Sequence, residues 1–241
     1  MPTAKTSLTL TAELVARVER IEPDPGLGPG MVHMTDGDYD GLVKGLLHRY
    51  TPRQLWVFGY GSLIWKPEFT SLEHRRATAF GWHRSFCMNL TRFRGTREQP
   101  GLMMALDRGG CCHGVVYRLP DENHADQLGR LLRREMSIKR STNTPRWLMV
   151  DTELGKLRAL AFTASPAGMT YAGKLPAEHV ARILARAAGH LGSGASYLFQ
   201  TVTKLEEFGI HDTSLWRLQQ LVADEIIAMT KSRAKSADGG K

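Results

Sequence analysis

The chain has 241 residues, of which 42% are hydrophobic and 23% are charged. These values are close to those of ordinary globular proteins and exclude collagenous, coiled-coil and wholly disordered architectures. The length predicts one domain, large enough to bury a core without disulfide or metal staples. No apolar run approaches the roughly 18 residues that a membrane helix needs. The first twenty residues carry acids and no continuous apolar stretch, so we expect no secretory signal.

Lysine and arginine outnumber aspartate and glutamate by 32 to 24, a net charge of +8. This excess favours an anionic partner, which is a nucleic acid, a membrane surface or a small metabolite. The basic residues lie in short clusters, such as the arginines in residues 92–97, and such clusters are more often solvated faces than nucleic-acid contacts. Cys87, Cys111 and Cys112 form neither a disulfide framework nor a zinc spacing. We therefore expect a reducing, cytoplasmic compartment.

Residues 1–52 are predicted to be a partly helical N-terminal extension, to which the sequence assigns no function. Residues 11–23 place Leu14, Val15, Val18 and Ile21 at helical spacing. Residues 23–30 contain three glycines and three prolines, so no helix or strand is expected to continue through them. A second short helix is predicted in residues 38–50.

From residue 54 to about 164 the pattern is typical of strands. We predict strands at 55–60, 77–90, 101–106 and 110–120, and a hairpin-like pair at 146–153 and 157–165. Between them, residues 120–136 are predicted to be a helix with Asp121 as the N-cap.

The last third of the chain is predicted to be helical. One helix is predicted within residues 176–192, with Gly192 just past its end. A second is predicted within 195–209, with Gly209 as the residue after its end, and Asp212 or Thr213 can cap the last helix. Residues 231–241 have nothing to bury and are predicted to be a disordered tail. Because strands and helices cluster separately, the class is α+β, with one folded domain predicted at 53–230.

The segment VFGYGSLIWKP, residues 57–67, is the first candidate site. It does not fit a dinucleotide fingerprint, because Ile64 stands at the third glycine position and Pro67 interrupts any following helix. Without a Cβ at Gly59 and Gly61, with positive φ permitted, backbone N–H groups can converge on a carboxylate, and Ser62 can add a hydroxyl donor. The alternative is a structural glycine turn.

Two further residues are candidates. Glu135 is the sole acid between Asp126 and Asp151 and lies at the end of an amphipathic helix, so it is either a surface ion pair or a carboxylate that acts as a general base. Tyr197 begins a helix and is either a core aromatic or a hydroxyl in a site. The nine histidines are scattered without metal-ligand spacing, so we predict no metal.

These segments together resemble the ChaC-like gamma-glutamylcyclotransferases. The likeness rests on VFGYGSLIWKP with GWHRSFCM, GVVYRLP, the RREM around Glu135, PRW, and the late GASYLFQTVTKLEEFGIHD. It implies an α+β fold with a small mixed barrel-like sheet surrounded by helices. It also implies cleavage of glutathione to 5-oxoproline and cysteinylglycine without metal or organic cofactor.

The resemblance implies that Glu135 is the catalytic carboxylate. One departure concerns Asn143, which stands where the family has a tyrosine, after two additional residues between Glu135 and Pro145. The residues that the resemblance places against the substrate are Gly59, Tyr60, Gly61, Ser62, Leu63, Ile64 and Tyr197.

Three alternatives stay open at this point. The chain could act on other γ-glutamyl amines or amino acids, or it could be a non-catalytic regulatory module linked to cation transport, for which Glu135 would be unnecessary. A basic nucleic-acid-binding protein is the third, although the aromatic interleaving typical of such proteins is missing. The sequence makes no prediction about the oligomeric state.

Overall fold

The computed structural model describes residues 8–238, the side chains of 233–238 excepted. The helices are α1 Ala12–Ala16, α2 Asp36–Arg49, α3 Ser62–Trp65, α4 His124–Glu135, α5 Ala177–Arg186, α6 Gly194–Glu207 and α7 Thr213–Asp238. The strands are β1 Trp56–Gly59, β2 Glu73–Leu90, β3 Gly101–Arg118, β4 Asn143–Thr152, β5 Gly155–Ala164, β6 Ala188–Gly189 and β7 Gly192–Ser193. Within residues 8–238, no helix combines the length and the apolar character needed to cross a membrane.

The chain divides into two compact units. One, the barrel unit, consists of Leu27–Asn89 and Met104–Lys174. The other, the helical unit, consists of the described residues up to Gly26, of Leu90–Met103, and of the described residues from Leu175 onward. The units do not follow the predicted boundaries at residues 52 and 230, and each contains one helix of the predicted extension. Residues 1–7 of that extension lie outside the described part of the chain.

The sheet is a closed five-stranded barrel in the order β1-β3-β2-β4-β5. Most pairs are antiparallel, whereas β5 runs parallel to β1 and to β3. This confirms the predicted α+β class and its small mixed barrel-like sheet. Strand β3 is continuous where two strands were predicted. Gly109 and Gly110, with φ of 104° and 69°, let the strand bend without ending, as in a bulge.

Helices α2 and α4 complete the core of the barrel unit. Leu46 and Leu132 are fully buried in one apolar cluster with Phe162 of β5, and each such side chain contributes roughly 1.5–3 kcal/mol. The Tyr39 hydroxyl donates to the carbonyl of Met136 at 2.7 Å, which joins the two helices. The second helix of the predicted extension is therefore part of this core.

Helix α4 begins later than predicted. Its N-cap is Asn123, in the left-handed region with φ of 54°. Asp121, the predicted cap, instead accepts a hydrogen bond from Arg118 at 2.5 Å. The Asp121 carboxylate is therefore paired with the guanidinium of Arg118 at the end of β3, and the helix starts at His124.

The helical unit shows one early helix end and two agreements with the predicted helix boundaries. Helix α5 stops at Arg186 because the next residues form the short β6–β7 hairpin. As predicted, Gly209 follows α6 at φ of 67°, and the Asp212 carboxylate caps α7 by accepting from the Ser214 amide at 3.1 Å.

The last helix continues into the predicted disordered tail. Helix α7 extends to Asp238, so residues 231–238 are helical, and residues 239–241 lie outside the described part. The tail contains alanine, lysine and arginine, which are good helix formers. Adding residues to an existing helix also avoids the cost of a new nucleus.

Candidate functional site

Residues 59–64, here called the glycine turn, run from the end of β1 into α3 and include six of the predicted site residues. Gly59, Tyr60 and Gly61 are buried, Ser62 is partly exposed, and Leu63 and Ile64 are buried again. Strand β1 is held against β3, with Gly59 opposite Val115. Gly114 allows this close approach, because a Cβ there would lie 2.4 Å from the Gly59 carbonyl oxygen.

Hydrogen bonds on both sides fix the conformation of this turn. The Nε of Arg84 donates to the Tyr60 carbonyl at 2.7 Å, and the Ile64 amide donates to the Gly61 carbonyl at 2.9 Å. The amides of Ser62 and Leu63 lie in the first turn of α3, where N–H groups have no acceptor within the helix. The positive φ that a glycine permits is not used at Gly61, whose φ is −134°. Any role of Gly61 therefore rests on its missing side chain.

Glu135 is the last residue of α4, and its side chain is 15% exposed. Arg134 Nε donates to its Oε1 at 3.0 Å, and Asn143 Nδ2 donates to its Oε2 at 3.3 Å. Burial raises the pKa of the Glu135 carboxyl, while Arg134 and Asn143 partly oppose that rise. A carboxyl with this balance can exchange a proton closer to neutral pH than an exposed glutamate can.

Arg134 connects Glu135 to the glycine turn. Its Nη1 donates to the carbonyl of Pro67 at 2.6 Å, just after α3, and an ion pair of 3.4 Å joins it to Glu68. Leu63 of the turn also belongs to the apolar cluster that buries α4. The structure thus brings the glycine turn and Glu135 into one packed group within the barrel unit.

Asn143, the first residue of β4, occupies the position where a tyrosine was expected. Its Nδ2 also donates to the backbone carbonyl of Glu135 at 3.1 Å. Its side chain is 8% exposed, and its Oδ1 is buried with no hydrogen-bond partner among the described residues. The sequence pointed to this residue only as a departure from a family pattern, because contact between α4 and β4 depends on the tertiary fold.

Tyr197 lies in the other unit, on α6, and is 3% exposed. The Arg94 guanidinium lies 5.4 Å from the centre of its ring, within the range of a cation–π contact. Arg94 Nη1 also donates to the carbonyl of Ser193 at 2.9 Å, and burial lowers the pKa of Arg94. The arginine cluster that includes Arg94 was expected from the sequence to face solvent. The spacing of residues in this loop does not indicate a contact with a helix about a hundred residues later.

Comparison with known proteins gives a consistent result. The family model described as ChaC-like protein matches residues 55–225. A relative from Escherichia coli, strain K12, named glutathione-specific gamma-glutamylcyclotransferase, is 40% identical over 175 residues, which cover 72% of this chain and 75% of the relative. The mouse glutathione-specific gamma-glutamylcyclotransferase 1 is 35% identical over 152 residues, 62% of this chain and 68% of that protein.

The fold is also similar to a solved structure. A crystal structure of a yeast gamma-glutamyl cyclotransferase specific to glutathione matches with a TM-score of 0.65 and 21% identity, over 72% of this chain and 97% of that one. This likeness concerns the fold alone. With the sequence match over residues 55–225, it leads to one assignment: the chain belongs to the ChaC-like family.

Proposed function

We propose that this chain is an enzyme that cleaves glutathione to 5-oxoproline and cysteinylglycine, with Glu135 as the general acid and base. The names of its relatives supply the reaction and the substrate. The observation that carries the residue assignment is the Glu135 carboxyl, which is largely buried, held by two donors and raised in pKa.

The reaction needs a single group that first accepts and then returns a proton. The α-ammonium of the γ-glutamyl residue first releases one proton to solvent, and the resulting amine attacks the γ-carbonyl carbon while Glu135 takes the second proton that this nitrogen has to lose, which closes a five-membered lactam. The carbon–nitrogen bond to cysteine then breaks, and Glu135 delivers the proton to the departing nitrogen. No water is consumed. Because nucleophile and electrophile belong to one molecule, the protein has chiefly to hold the folded-back conformer.

The glycine turn is proposed to hold the substrate's α-carboxylate. The amides of Ser62 and Leu63 and the Ser62 hydroxyl supply donors at the N-terminal end of α3. Arg84 fixes the turn through the Tyr60 carbonyl, so these donors are in place before the substrate arrives. Preorganised donors of this kind can also stabilise the oxyanion that develops at the attacked carbonyl.

Asn143 is proposed to receive the substrate's ammonium beside Glu135. Its Nδ2 is directed to the carboxylate, which leaves Oδ1 as a buried acceptor without a partner among the described residues. A buried unpaired acceptor is costly, and an ammonium donor would satisfy it. The carboxamide would then hold the amine next to the base.

The proposal is tested by incubating the purified chain with glutathione and measuring 5-oxoproline and cysteinylglycine by mass spectrometry. We expect both products in equal amounts from the parent and far less from Glu135→Gln. Absence of both products with correctly folded protein would contradict the proposal.

The same assay separates the alternatives. Formation of 5-oxoproline from γ-glutamyl amines or other γ-glutamyl amino acids, but not from glutathione, would favour the broader cyclotransferase; the carboxamide at Asn143 in place of the expected tyrosine is the feature that makes this comparison necessary. Salt-sensitive retention on DNA would favour a nucleic-acid partner.

We further propose a cytoplasmic location for this chain. The spacing of the cysteines supports it, because that spacing is not typical of a disulfide framework. Fractionation of cells that express the tagged chain would test this location.

A further inference from the structure

The segment before Gly26 is bonded at several points to the rest of the helical unit. The Leu10 amide donates to Gln219 Oε1 at 2.7 Å in a buried position. Asp24 accepts two hydrogen bonds from Arg92, at 2.7 and 2.6 Å. This segment lies outside residues 55–225, which match the family model. Its role in this chain therefore has to be sought in its own contacts.

The most informative of these contacts joins Glu19 to Ser193. The Ser193 amide donates to the two carboxylate oxygens at 3.2 and 3.3 Å, and its hydroxyl donates to Oε2 at 2.5 Å. Ser193 is 1% exposed. Its hydroxyl oxygen in turn accepts from the Ser196 amide at 3.0 Å and so caps α6. Because a hydroxyl has one proton, donating it to Glu19 directs the lone pairs toward Ser196.

The turn before α6 leaves room for this carboxylate. Gly192 has a φ of 94°, and a Cβ at that position would lie 2.4 Å from Glu19 Oε1. Any other residue would be strained there and would also collide with the carboxylate. Gly192 therefore leaves open the space that the Glu19 carboxylate occupies beside the turn.

The same serine connects to the predicted substrate-binding tyrosine. Tyr197 lies one turn after Ser193, on α6, and Arg94 bridges the Ser193 carbonyl and the Tyr197 ring. The charge of Glu19 also favours the cationic form of Arg94, against the effect of burial. Glu19 is thus linked to Tyr197 in two ways, through the cap of its helix at Ser193 and through the charge of Arg94, which lies against the ring.

We propose that Glu19 is a positioning residue that acts through Ser193 and Arg94 to fix Tyr197 for substrate binding. This inference rests on the proposed function and on the substrate contact that the family resemblance implies for Tyr197. It assigns to the N-terminal segment a part in substrate affinity that residues 55–225 alone do not supply.

The test compares Glu19→Ala with Glu22→Ala, which removes a carboxylate from the same segment, where it pairs with Arg20. We expect Glu19→Ala to raise the KM for glutathione about tenfold with a much smaller change in kcat, as for loss of a charge-assisted hydrogen bond. Glu19→Gln keeps one acceptor oxygen and should restore most of the affinity, and Glu22→Ala should match the parent. In a Tyr197→Phe background the effect of Glu19→Ala on kcat/KM should shrink, because the two sites act together.

A second measurement does not depend on the substrate. Hydrogen exchange at the Ser193 and Ser196 amides should be faster in Glu19→Ala than in the parent and in Glu22→Ala. Equal exchange in all three would overturn the inference, as would an unchanged KM in an active Glu19→Ala enzyme. If the parent does not cleave glutathione but exchange is faster in Glu19→Ala than in the parent, the proposed function is contradicted and the contact of Glu19 with α6 is supported.

Discussion

Replacing Glu135 by glutamine separates the chemistry of this residue from its packing. The amide has nearly the same volume, so no cavity forms, and its oxygen can still accept from Arg134 Nε, which lies 3.0 Å from Oε1 in the parent. It cannot take up a proton. We therefore expect kcat to fall by about 10²–10⁴, the usual loss when a general acid–base is removed.

The stability of this variant should change in the opposite direction. Below the unfolded pKa of about 4.3 the Glu135 carboxyl is neutral in both folded and unfolded chains. As the pH rises through its raised folded pKa, the folded protein has to ionise a buried carboxyl, and that share of stability is lost. Glu135→Gln avoids this ionisation. Its Tm at pH 8 should equal or exceed that of the parent, by about 2–4 °C for each 1 kcal/mol gained.

The assay follows glutathione cleavage between pH 5 and 9 together with thermal melting at each pH. Parent activity should rise with pH through the raised pKa of Glu135, because the base has to be ionised, and Glu135→Gln should lose that limb. Glu153→Gln, at the exposed β4–β5 turn, is the charge-matched control. Near-normal turnover in Glu135→Gln would remove the residue from the mechanism, and a large loss of stability at pH 8 would refute its buried, raised-pKa state.

The remaining predictions concern Asn143, the glycine turn and metals. Asn143→Ala removes a hydrogen bond that lowers the pKa of Glu135, so the acidic limb of the kcat/KM profile should move to higher pH. If this limb does not move, the hydrogen bond between Asn143 and Glu135 has no part in setting the pKa. Gly61→Ala should weaken binding of a non-cyclisable glutathione analogue well beyond its effect on Tm, because a Cβ would block the amides of the turn. Ser62→Ala should cost only about 0.5–1.5 kcal/mol of binding, and equal binding by Gly61→Ala and the parent would make the turn merely structural. Exhaustive chelation should leave activity unchanged, since the sequence has no metal-ligand spacing; loss that zinc or manganese restores would contradict this.

Local patterns determined much of the secondary structure. The apolar spacing in residues 120–136 predicts α4, and the glycine at 209 predicts the end of α6, because both depend on neighbours along the chain. The same holds for the capping of α7 by Asp212. Predictions that depended on a competing partner were wrong: Asp121 pairs with Arg118 and does not cap α4.

The motif around residues 57–67 and the glutamate at 135 were also visible in the sequence, through likeness to a family. What spacing left open was whether Glu135 is an exposed ion-paired residue or a buried carboxyl. Its 15% exposure and its contacts with Arg134 and Asn143 decide for the buried state. Those contacts bring the end of a helix to the start of a strand eight residues later, and the local pattern of neither element specifies that approach.

The N-terminal segment shows most clearly what the sequence determined and what required the tertiary structure. The helical spacing predicted for residues 11–23 holds only at its start, where α1 buries Leu14 and Val15 but ends at Ala16, and Ile21 is 80% exposed. That spacing gave no partner for Glu19, because Ser193 lies 174 residues away and neither residue carries a local pattern that specifies the other. Hydrophobic periodicity is a property of neighbouring residues, whereas a hydrogen bond between distant side chains depends on how the whole chain is packed.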